Sequence, residues 1–446
     1  MSEETAHIID SRLFRDLYGT PAMRAVFSDR ATLQAWFDAE AALAEAQGQC
    51  GLIPKTAAEA IARAADAGRV DLDALGEGIA RVGHPFVPVI EALEELAGEA
   101  GAFVHFGATT QDIMDTGAVL QMRAALDLIE AGVEGLIAAL TVQARAHRAT
   151  VMAGRTHGQH AVPTTLGLKL AVLVAEMRRH QERIADLRPR LLVGQLAGAA
   201  GTLATLGDQA GPVRAAMLAR LGLAEPAIVW HTARDAIAET VALLAMIGST
   251  CGKFAGEVVN LQRSEIAELA EPAGAERIGS STMPQKHNPM MAQNVVALAR
   301  LLAALPASAL AAMMPEHERD MAAWQMEWLV VPQAFILASG ALHHATAIAS
   351  GLRVDAGRMR ENLKNAGGFI NAEAVMMALA ARIGRPAAHD LVGAITRQAA
   401  QAGTPLAEAL ASDATVAGHL DRAAIDALLE PQAWLGEAVA ATDRAL

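Results

Sequence analysis

One stretch of the chain, Gly279–Pro289, concentrates side chains that could do acid–base chemistry on an anion. It contains two adjacent serines, a lysine and an asparagine, at Ser280, Ser281, Lys286 and Asn288. The glycines and prolines in and before it predict a loop. Pro289 suits the first turn of the apolar helix predicted over Met290–Leu305, because a missing N–H is harmless there. Hydroxyls, a cation and a helix N-terminus at one point are what an anionic substrate requires.

A structural explanation of the same stretch is also available. Serine, threonine, asparagine and glycine are common in any loop that starts a helix. That explanation does not account for Lys286, since the helix dipole disfavours a cation at this end. We therefore favour a functional loop.

Two other polar segments interrupt helical patterns earlier in the chain. Phe103–Gly117 places three polar side chains before a long predicted helix, at His105, Thr109 and Thr110. Gly154–Thr165 contains His157 beside an arginine and a threonine. An imidazole in such a turn could exchange protons with a substrate, and the hydroxyls and N–H groups of a helix start could hold a carboxylate. Simple capping and a hydrogen-bonded loop histidine are the structural alternatives.

The sequence gives little support for a metal or another cofactor. His157 and His160 have a spacing that occurs in metal sites, but no carboxylate or thiol accompanies them. Cys50 and Cys251 have no metal or redox spacing. Gly194–Gly207 is rich in glycine and alanine but lacks the strand and the spacing of a dinucleotide fingerprint. We therefore predict no metal and no cofactor.

The loop Gly279–Pro289 resembles the signature of the fumarase/aspartase superfamily, Gly-Ser-Ser-x-Met-Pro-x-Lys-x-Asn-Pro, at every fixed position. Phe103–Gly117 resembles the second conserved region of that superfamily. Gly154–Thr165 resembles the Arg-Thr-His-x-Gln-x-Ala-x-Pro-x-Thr segment of its adenylosuccinate lyases. The segment from Glu316 to Trp328, with its His-Glu-Arg run and two tryptophans, is similar to bacterial 3-carboxy-cis,cis-muconate cycloisomerases.

The resemblance implies an enzyme that removes a proton beside a carboxylate and then loses a group from the adjacent carbon. Its base would be Ser280, and Lys286 would help to stabilise the doubly charged aci-carboxylate. The general acid would be His157, while Asp112 is expected to be structural. The residues that the resemblance and the sequence pattern suggest for substrate binding are His84, His105, Thr109, Thr110, Gln159, Arg234, Ser281, Asn288 and Arg319.

Two branches of the superfamily compete for this chain. The segment from Glu316 to Trp328 favours the cycloisomerases, which close a lactone by intramolecular addition of a carboxylate. His84 and His157 favour carbon–nitrogen lyases, which release fumarate from a substituted aspartate. Gln293 stands where fumarases and adenylosuccinate lyases have a glutamate that pairs with the acid histidine. We therefore hypothesise a cycloisomerase-like enzyme on a small polycarboxylate. Reuse as a non-catalytic structural protein is a further alternative, which the intact signature loop argues against.

Long helices are needed to position these groups. Hydrophobic residues make up 53% of the chain and aromatic ones only 3%, a composition that favours helices over sheets. Apolar side chains recur at helical spacing over Ile129–Leu140 and again over Leu166–Ile184. At 446 residues the chain is too long for one ordinary core. We expect an all-α fold with a central long-helix bundle. Three domains are expected, over residues 1–108, 109–352 and 353–446.

The totals also restrict the partners. A formal net charge of −13 disfavours nucleic acid and anionic membranes. Val295–Met314 is the only segment that we expect to be long and apolar enough for a membrane span, and we predict a buried bundle helix because Arg300 and Pro306 interrupt it. The polar Met1–Asp10 and the cysteine usage predict a cytoplasmic protein. The resemblance implies a homotetramer in which each site takes loops from three subunits.

Overall fold

The structure is a computed structural model that describes residues 5–272, 283 and 285–446. Helices dominate these residues, so the predicted all-α class is confirmed. The first group of helices is α1 (Arg15–Tyr18), α2 (Pro21–Val26), α3 (Asp29–Gln49), α4 (Lys55–Ala64), α5 (Leu72–Val82) and α6 (Val87–Ala97). The long helices and those between them are α7 (Thr110–Ala146), α8 (Leu166–Leu191), α9 (Ala210–Leu221), α10 (Asp235–Leu261), α11 (Met290–Ala311) and α12 (Met321–Ser350).

Shorter helices form the end of the chain. They are α13 (Ala356–Asn365), α14 (Ala372–Ile383), α15 (Arg385–Ala402), α16 (Leu406–Ser412), α17 (Ala414–Ala417), α18 (Arg422–Leu428) and α19 (Ala438–Ala445). Short 3₁₀ helices lie at Ala67–Arg69, Gly98–Phe103, Ala204–Gln209, Phe369–Asn371 and Pro431–Trp434. The strands of the described residues form two antiparallel pairs, β1 (Val151–Thr156) with β2 (Gln159–Thr165) and β3 (Leu269–Ala270) with β4 (Arg353–Val354).

The chain divides into two compact units. Unit 1 comprises the described parts of Met1–Glu134, Arg179–Gly252 and Asn294–His343. Unit 2 comprises Gly135–Arg178, the described parts of Lys253–Gln293, and His344–Leu446. Both units are discontinuous in sequence because the division falls within the long helices α7, α8, α10, α11 and α12. The three domains expected from the sequence stay a prediction.

One hydrophobic core cluster of unit 1 forms around α3. Ser28 starts this helix, because its side chain accepts a hydrogen bond from the N–H of Ala31. Phe37 on α3 packs in one hydrophobic cluster with Ile61 of α4 and with Phe86, and all three are fully buried. Burying side chains of this size contributes about 1.5–3 kcal/mol each. This core holds in place the segment that leads into α7.

Unit 2 contains the hairpin of β1 and β2. Its strands pair from Val151 opposite Thr165 to Thr156 opposite Gln159, so the connecting turn has only two residues. The base of the hairpin is buried against Leu363 and Ile370. A separate apolar cluster, built from α14, α15, α16, α17 and α18, forms the core of the chain end. The hairpin is therefore anchored at its base, while its tip is exposed.

The expectation of a single membrane-length segment was wrong. By length and composition, two helices of the described chain qualify, α10 and α11. In α10, 67% of the apolar window is buried within the chain, but in α11 only 28% is. The buried helix expected over Val295–Met314 is therefore largely uncovered in the single chain. It ends at Ala311.

Candidate active site

The start of α7 is fixed by the buried carboxylate of Asp112. This carboxylate accepts four hydrogen bonds, from Nε2–H of His231 at 2.8 Å and from the backbone N–H groups of Gly198, Ala197 and Thr109 at 2.9, 3.0 and 3.1 Å. It ties the glycine-rich segment at Gly198 to the helix start. The structural role predicted for Asp112 is thus confirmed.

Arg319 lies beside the same helix start. Its Nε donates to Oε1 of the buried Gln111 at 3.0 Å, and one terminal nitrogen donates to the carbonyl of Ala199 at 3.1 Å. Thr109, Thr110 and Arg319 are all half-buried. Unit 1 therefore brings the guanidinium and the two threonines to one helix N-terminus, where the peptide dipoles also favour an anion.

His105 is paired with a carboxylate on α3. Its Nδ1 lies 2.6 Å from Oε1 of Glu40, and the two side chains are 14% and 2% exposed. Burial lowers the pKa of His105, but the charge and hydrogen bond of Glu40, together with the charges of Asp112 and Glu94, leave the pKa raised above 6.5. His84 lies in the same region, since its Nδ1 accepts the N–H of Phe86 and the ring of Phe86 packs 5.6 Å from that of His105.

Arg234 belongs to a buried ion network. Its guanidinium donates to both oxygens of Asp115 at 2.8 and 3.0 Å and to both oxygens of Glu327. Trp324 Nε1 donates to Asp115 at 3.0 Å, and the amide of Gln195 does so at 2.9 Å. Burial lowers the pKa of Arg234, but the charges and hydrogen bonds of the two carboxylates more than offset this effect, so that the pKa is raised overall. The pKa of Glu327 is also raised, chiefly by burial. Four of the five N–H groups of Arg234 are thus engaged, which leaves little for a substrate.

In unit 2, His157 stands at the tip of the hairpin. His157 and Gly158 form the two-residue turn, with φ of 54° and 75°. Positive φ at both central residues is typical of the type I′ turn, whose twist matches that of paired strands. His157 and Gln159 are exposed. The hairpin therefore presents the predicted acid histidine and Gln159 together, away from its own buried base.

Lys286 and Asn288 precede α11, with Lys286 exposed and Asn288 half-buried. The carboxylate of Glu271 accepts the N–H groups of Met291 and Ala292, at 3.3 and 2.9 Å, in the first turn of α11. The expectation that this helix N-terminus is open to a substrate was therefore wrong for these two amides, since Glu271 already occupies them. Among the described residues of the loop Gly279–Pro289, Lys286 supplies the positive charge.

The amide of Gln262 holds the same region from the other side. Its Nε2 donates to the carbonyl of His287, and its Oε1 accepts the N–H of Glu271, both at 3.0 Å. Ser280 and Ser281 lie outside the described residues. Their predicted roles are therefore unaffected by this geometry.

Comparisons with known proteins agree on the family. The family model described as "Lyase" matches residues 18–301, and the one described as "Adenylosuccinate lyase C-terminus" matches residues 368–445. The chain belongs to the fumarate lyase family. Its members include a 3-carboxy-cis,cis-muconate cycloisomerase of Pseudomonas aeruginosa, 46% identical over 98% of this chain and 96% of the relative.

Two other members of the fumarate lyase family show how broad this similarity is. A crystal structure of 3-carboxy-cis,cis-muconate lactonizing enzyme from Pseudomonas putida has a TM-score of 0.92 at 42% identity and covers 98% of both chains. An N-acetyl-S-(2-succino)cysteine lyase of Dickeya dadantii is 37% identical over 99% of this chain and 97% of the relative. The resemblance to the superfamily is thus confirmed.

Sequence reasoning missed three polar groups that hold predicted site segments in place within the two units. They are Glu40, Glu271 and Gln262, which bind His105, the start of α11 and the carbonyl of His287. Only Glu40 had a visible signal. It falls on the apolar stripe that Leu33 and Phe37 begin on α3, where a carboxylate is unexpected.

Proposed function

We propose that this fumarate lyase family member closes a lactone on 3-carboxy-cis,cis-muconate or a closely similar polycarboxylate. The observation that carries the proposal is the 46% identity, over 98% of the chain, to the Pseudomonas aeruginosa cycloisomerase. The described residues support it, because the imidazole of His105 and the guanidinium of Arg319 in unit 1, and the ammonium of Lys286 in unit 2, are each suited to bind a carboxylate. We also propose that the chain has the three domains predicted from its sequence, over residues 1–108, 109–352 and 353–446.

In the proposed reaction, a carboxylate oxygen of the substrate adds to a carbon–carbon double bond and forms the lactone C–O bond. The electron pair of the double bond moves to the neighbouring carboxylate, which becomes a doubly charged aci-carboxylate. Lys286 and Asn288 stabilise that charge. The hydroxyl of Ser280 then delivers a proton to the adjacent carbon, and in the reverse direction Ser280 is the base that removes it.

The role of Lys286 can be tested by its replacement with methionine, which keeps an unbranched side chain only one atom shorter and removes the charge. We expect Lys286→Met to lower kcat/KM at least about 100-fold, or about 3 kcal/mol, as for other single oxyanion donors. Steady-state kinetics with 3-carboxymuconate measure this. Lys253→Met, which removes a lysine of α10 paired with Glu176, is the matched control and should stay near wild type. A loss below tenfold at Lys286 would remove it from this role.

His157 separates the two branches of the superfamily. A lactone opens with a carboxylate as the leaving group, which needs no proton, whereas an amine leaving group does need one. We therefore expect His157→Asn to lower kcat for the lactone reaction less than about tenfold. A loss of about 100-fold or more, within the usual range for a general acid, would show that His157 transfers a proton in the reaction, as the resemblance to the carbon–nitrogen lyases implies.

The function itself is tested by a substrate panel followed by ultraviolet absorbance. The panel contains 3-carboxymuconate, N-acetyl-S-(2-succino)cysteine, adenylosuccinate, argininosuccinate and aspartate. We expect consumption of 3-carboxymuconate, without the rise in fumarate absorbance that the other four would give on elimination. Fumarate release from any of the others, with 3-carboxymuconate left intact, would contradict the proposal. No absorbance change with any of the five compounds, together with no ligand-induced thermal shift of the protein, would indicate a structural protein.

We further infer a cytoplasmic homotetramer, with sites shared between subunits, that acts in the breakdown of aromatic compounds. Exposed leucines on α11 and α12 support association, since Leu301, Leu310 and Leu329 are 50%, 58% and 69% exposed in the single chain. Several large apolar side chains on neighbouring long helices are typical of surfaces that another chain covers. Nucleic acid and membranes are not expected as partners.

A further inference from the structure

Helix α3 buries only two polar side chains among its ten buried residues, and these are Glu40 and Gln47. They lie seven residues apart, two turns of helix, and therefore on one face. Both bond the same short segment, because Glu40 pairs with the imidazole of His105 and Nε2 of Gln47 donates to the carbonyl of Phe106 at 2.5 Å. The hydrophobic face of α3 thus contains a polar cradle for residues 105 and 106.

The backbone at His105 needs such support. Its φ is 56°, in the left-handed region that disfavours residues other than glycine. Two positions later Gly107 also has positive φ, and its carbonyl accepts Oγ1–H of Thr205 at 2.7 Å. Non-glycine residues held in this conformation by their surroundings are concentrated at functional sites. The cradle and Thr205 therefore fix the position of the imidazole, and Glu40 of the cradle is also its hydrogen-bond partner.

Within the described part of the chain, the charged groups that act on His105 come from three helices and are acidic. Glu40 belongs to α3, Glu94 to α6 and Asp112 to α7, and each raises the pKa of the imidazole. Asp112 is already satisfied by four donors, and Glu94 acts through its charge. Only Glu40 makes a hydrogen bond to the ring among these three. Since Nδ1 is taken by Glu40, Nε2–H is the donor that an imidazolium has left for a ligand.

We propose that Glu40 is a positioning residue that keeps His105 an imidazolium, with Nε2–H directed to one carboxylate of the substrate. This inference rests on the proposed function, because a substrate with three carboxylates needs this additional cation. His105 binds in this role and transfers no proton. The carboxylate of Glu40 acts only through His105.

The test is Glu40→Gln, which keeps the size of the side chain and removes its charge. In the ligand-free protein, we expect the imidazole titration of His105, followed by NMR, to move down by about one pH unit or more. With 3-carboxymuconate, kcat/KM should be roughly tenfold lower than wild type at pH 8 and nearly equal at pH 5.5, because the imidazolium is then present in both proteins. The change should lie in KM rather than kcat.

Two further variants keep the outcome interpretable. Asp38→Asn removes an exposed carboxylate from the same helix and should leave both the titration and the kinetics at wild-type values. Glu40→Asp keeps the charge and should restore the high-pH kcat/KM in large part. An equal loss at every pH in Glu40→Gln, or an unmoved His105 titration, would overturn the proposal.

The NMR titration separates this inference from the proposed function, since it needs no substrate. If 3-carboxymuconate is not consumed, the binding of tricarballylate, measured by calorimetry, takes the place of the kinetics. Wild-type binding that weakens as His105 loses its proton, with the weakening moved to lower pH in Glu40→Gln, would support Glu40 in this role even though the proposed reaction had failed. Binding with the same pH dependence in both proteins would overturn it.

Discussion

Ser280→Ala is expected to abolish turnover and to leave folding and substrate binding nearly intact. The hydroxyl is the proposed proton carrier, and an alanine cannot exchange a proton with the substrate carbon. Loss of a general acid–base group typically costs 10²- to 10⁴-fold in rate, and we expect kcat to fall at least into this range. Single-turnover kinetics with 3-carboxymuconate, together with ligand-induced thermal shifts, separate chemistry from binding.

The neighbouring serine provides the control. Ser281→Ala makes the same change one residue away, at a position expected to bind substrate. It should raise KM more than it lowers kcat. Unchanged turnover in Ser280→Ala would eliminate Ser280 as the base, and an equal fall of kcat in both variants would leave no distinct role for it.

Arg234→Met is expected to give the largest loss of stability. It removes the guanidinium that lies between Asp115 and Glu327 and leaves both buried carboxylates without this ion pair. Breaking a buried pair in this way typically costs about 3–5 kcal/mol of unfolding free energy. The loss should be smaller at pH 5 than at pH 8, because Glu327, whose pKa burial already raises, can then bind a proton. Thermal unfolding followed by circular dichroism at both pH values measures it.

Arg190→Met is the matched control for this prediction. It breaks another arginine–glutamate pair of unit 1, the pair of Arg190 with Glu239. The side chains of this pair are 52% and 43% exposed. Exposed pairs contribute little because water screens them, so we expect an unchanged melting temperature. A substrate-binding Arg234, as the sequence pattern suggested, would instead raise KM and leave stability unchanged. Equal stability losses in the two variants would contradict the buried network.

The sequence predicted the fold class and the family well, for physical reasons. Helical periodicity is a local property, and the apolar stripe of α7 near Ile129 is readable without any knowledge of its neighbours. The signature loop near Lys286 has residue types and spacing that few loops share. These features need no long-range information.

The surroundings of the site were less predictable, because they depend on pairs that are distant in the sequence. Arg234 finds its partners 119 residues before it and 93 after it, and no local pattern indicates either. Glu271 occupies two amides of α11 that were expected to be open. Its carboxylate lies 20 and 21 residues before them in the sequence, so no local pattern indicates this contact. Glu40 was the exception, because a carboxylate on an apolar stripe can be noticed from the sequence alone.

The two-residue turn of the hairpin limits which amino acids can follow Thr156. Its left-handed backbone tolerates glycine, asparagine and aspartate far better than valine or isoleucine, whose branched side chains clash there. A branched replacement at position 157 would disturb strand register as well as chemistry. A replacement of His157 must therefore first fit the left-handed backbone, whatever its effect on catalysis. Asparagine fits this backbone, so the histidine can be exchanged for asparagine while the hairpin stays the same.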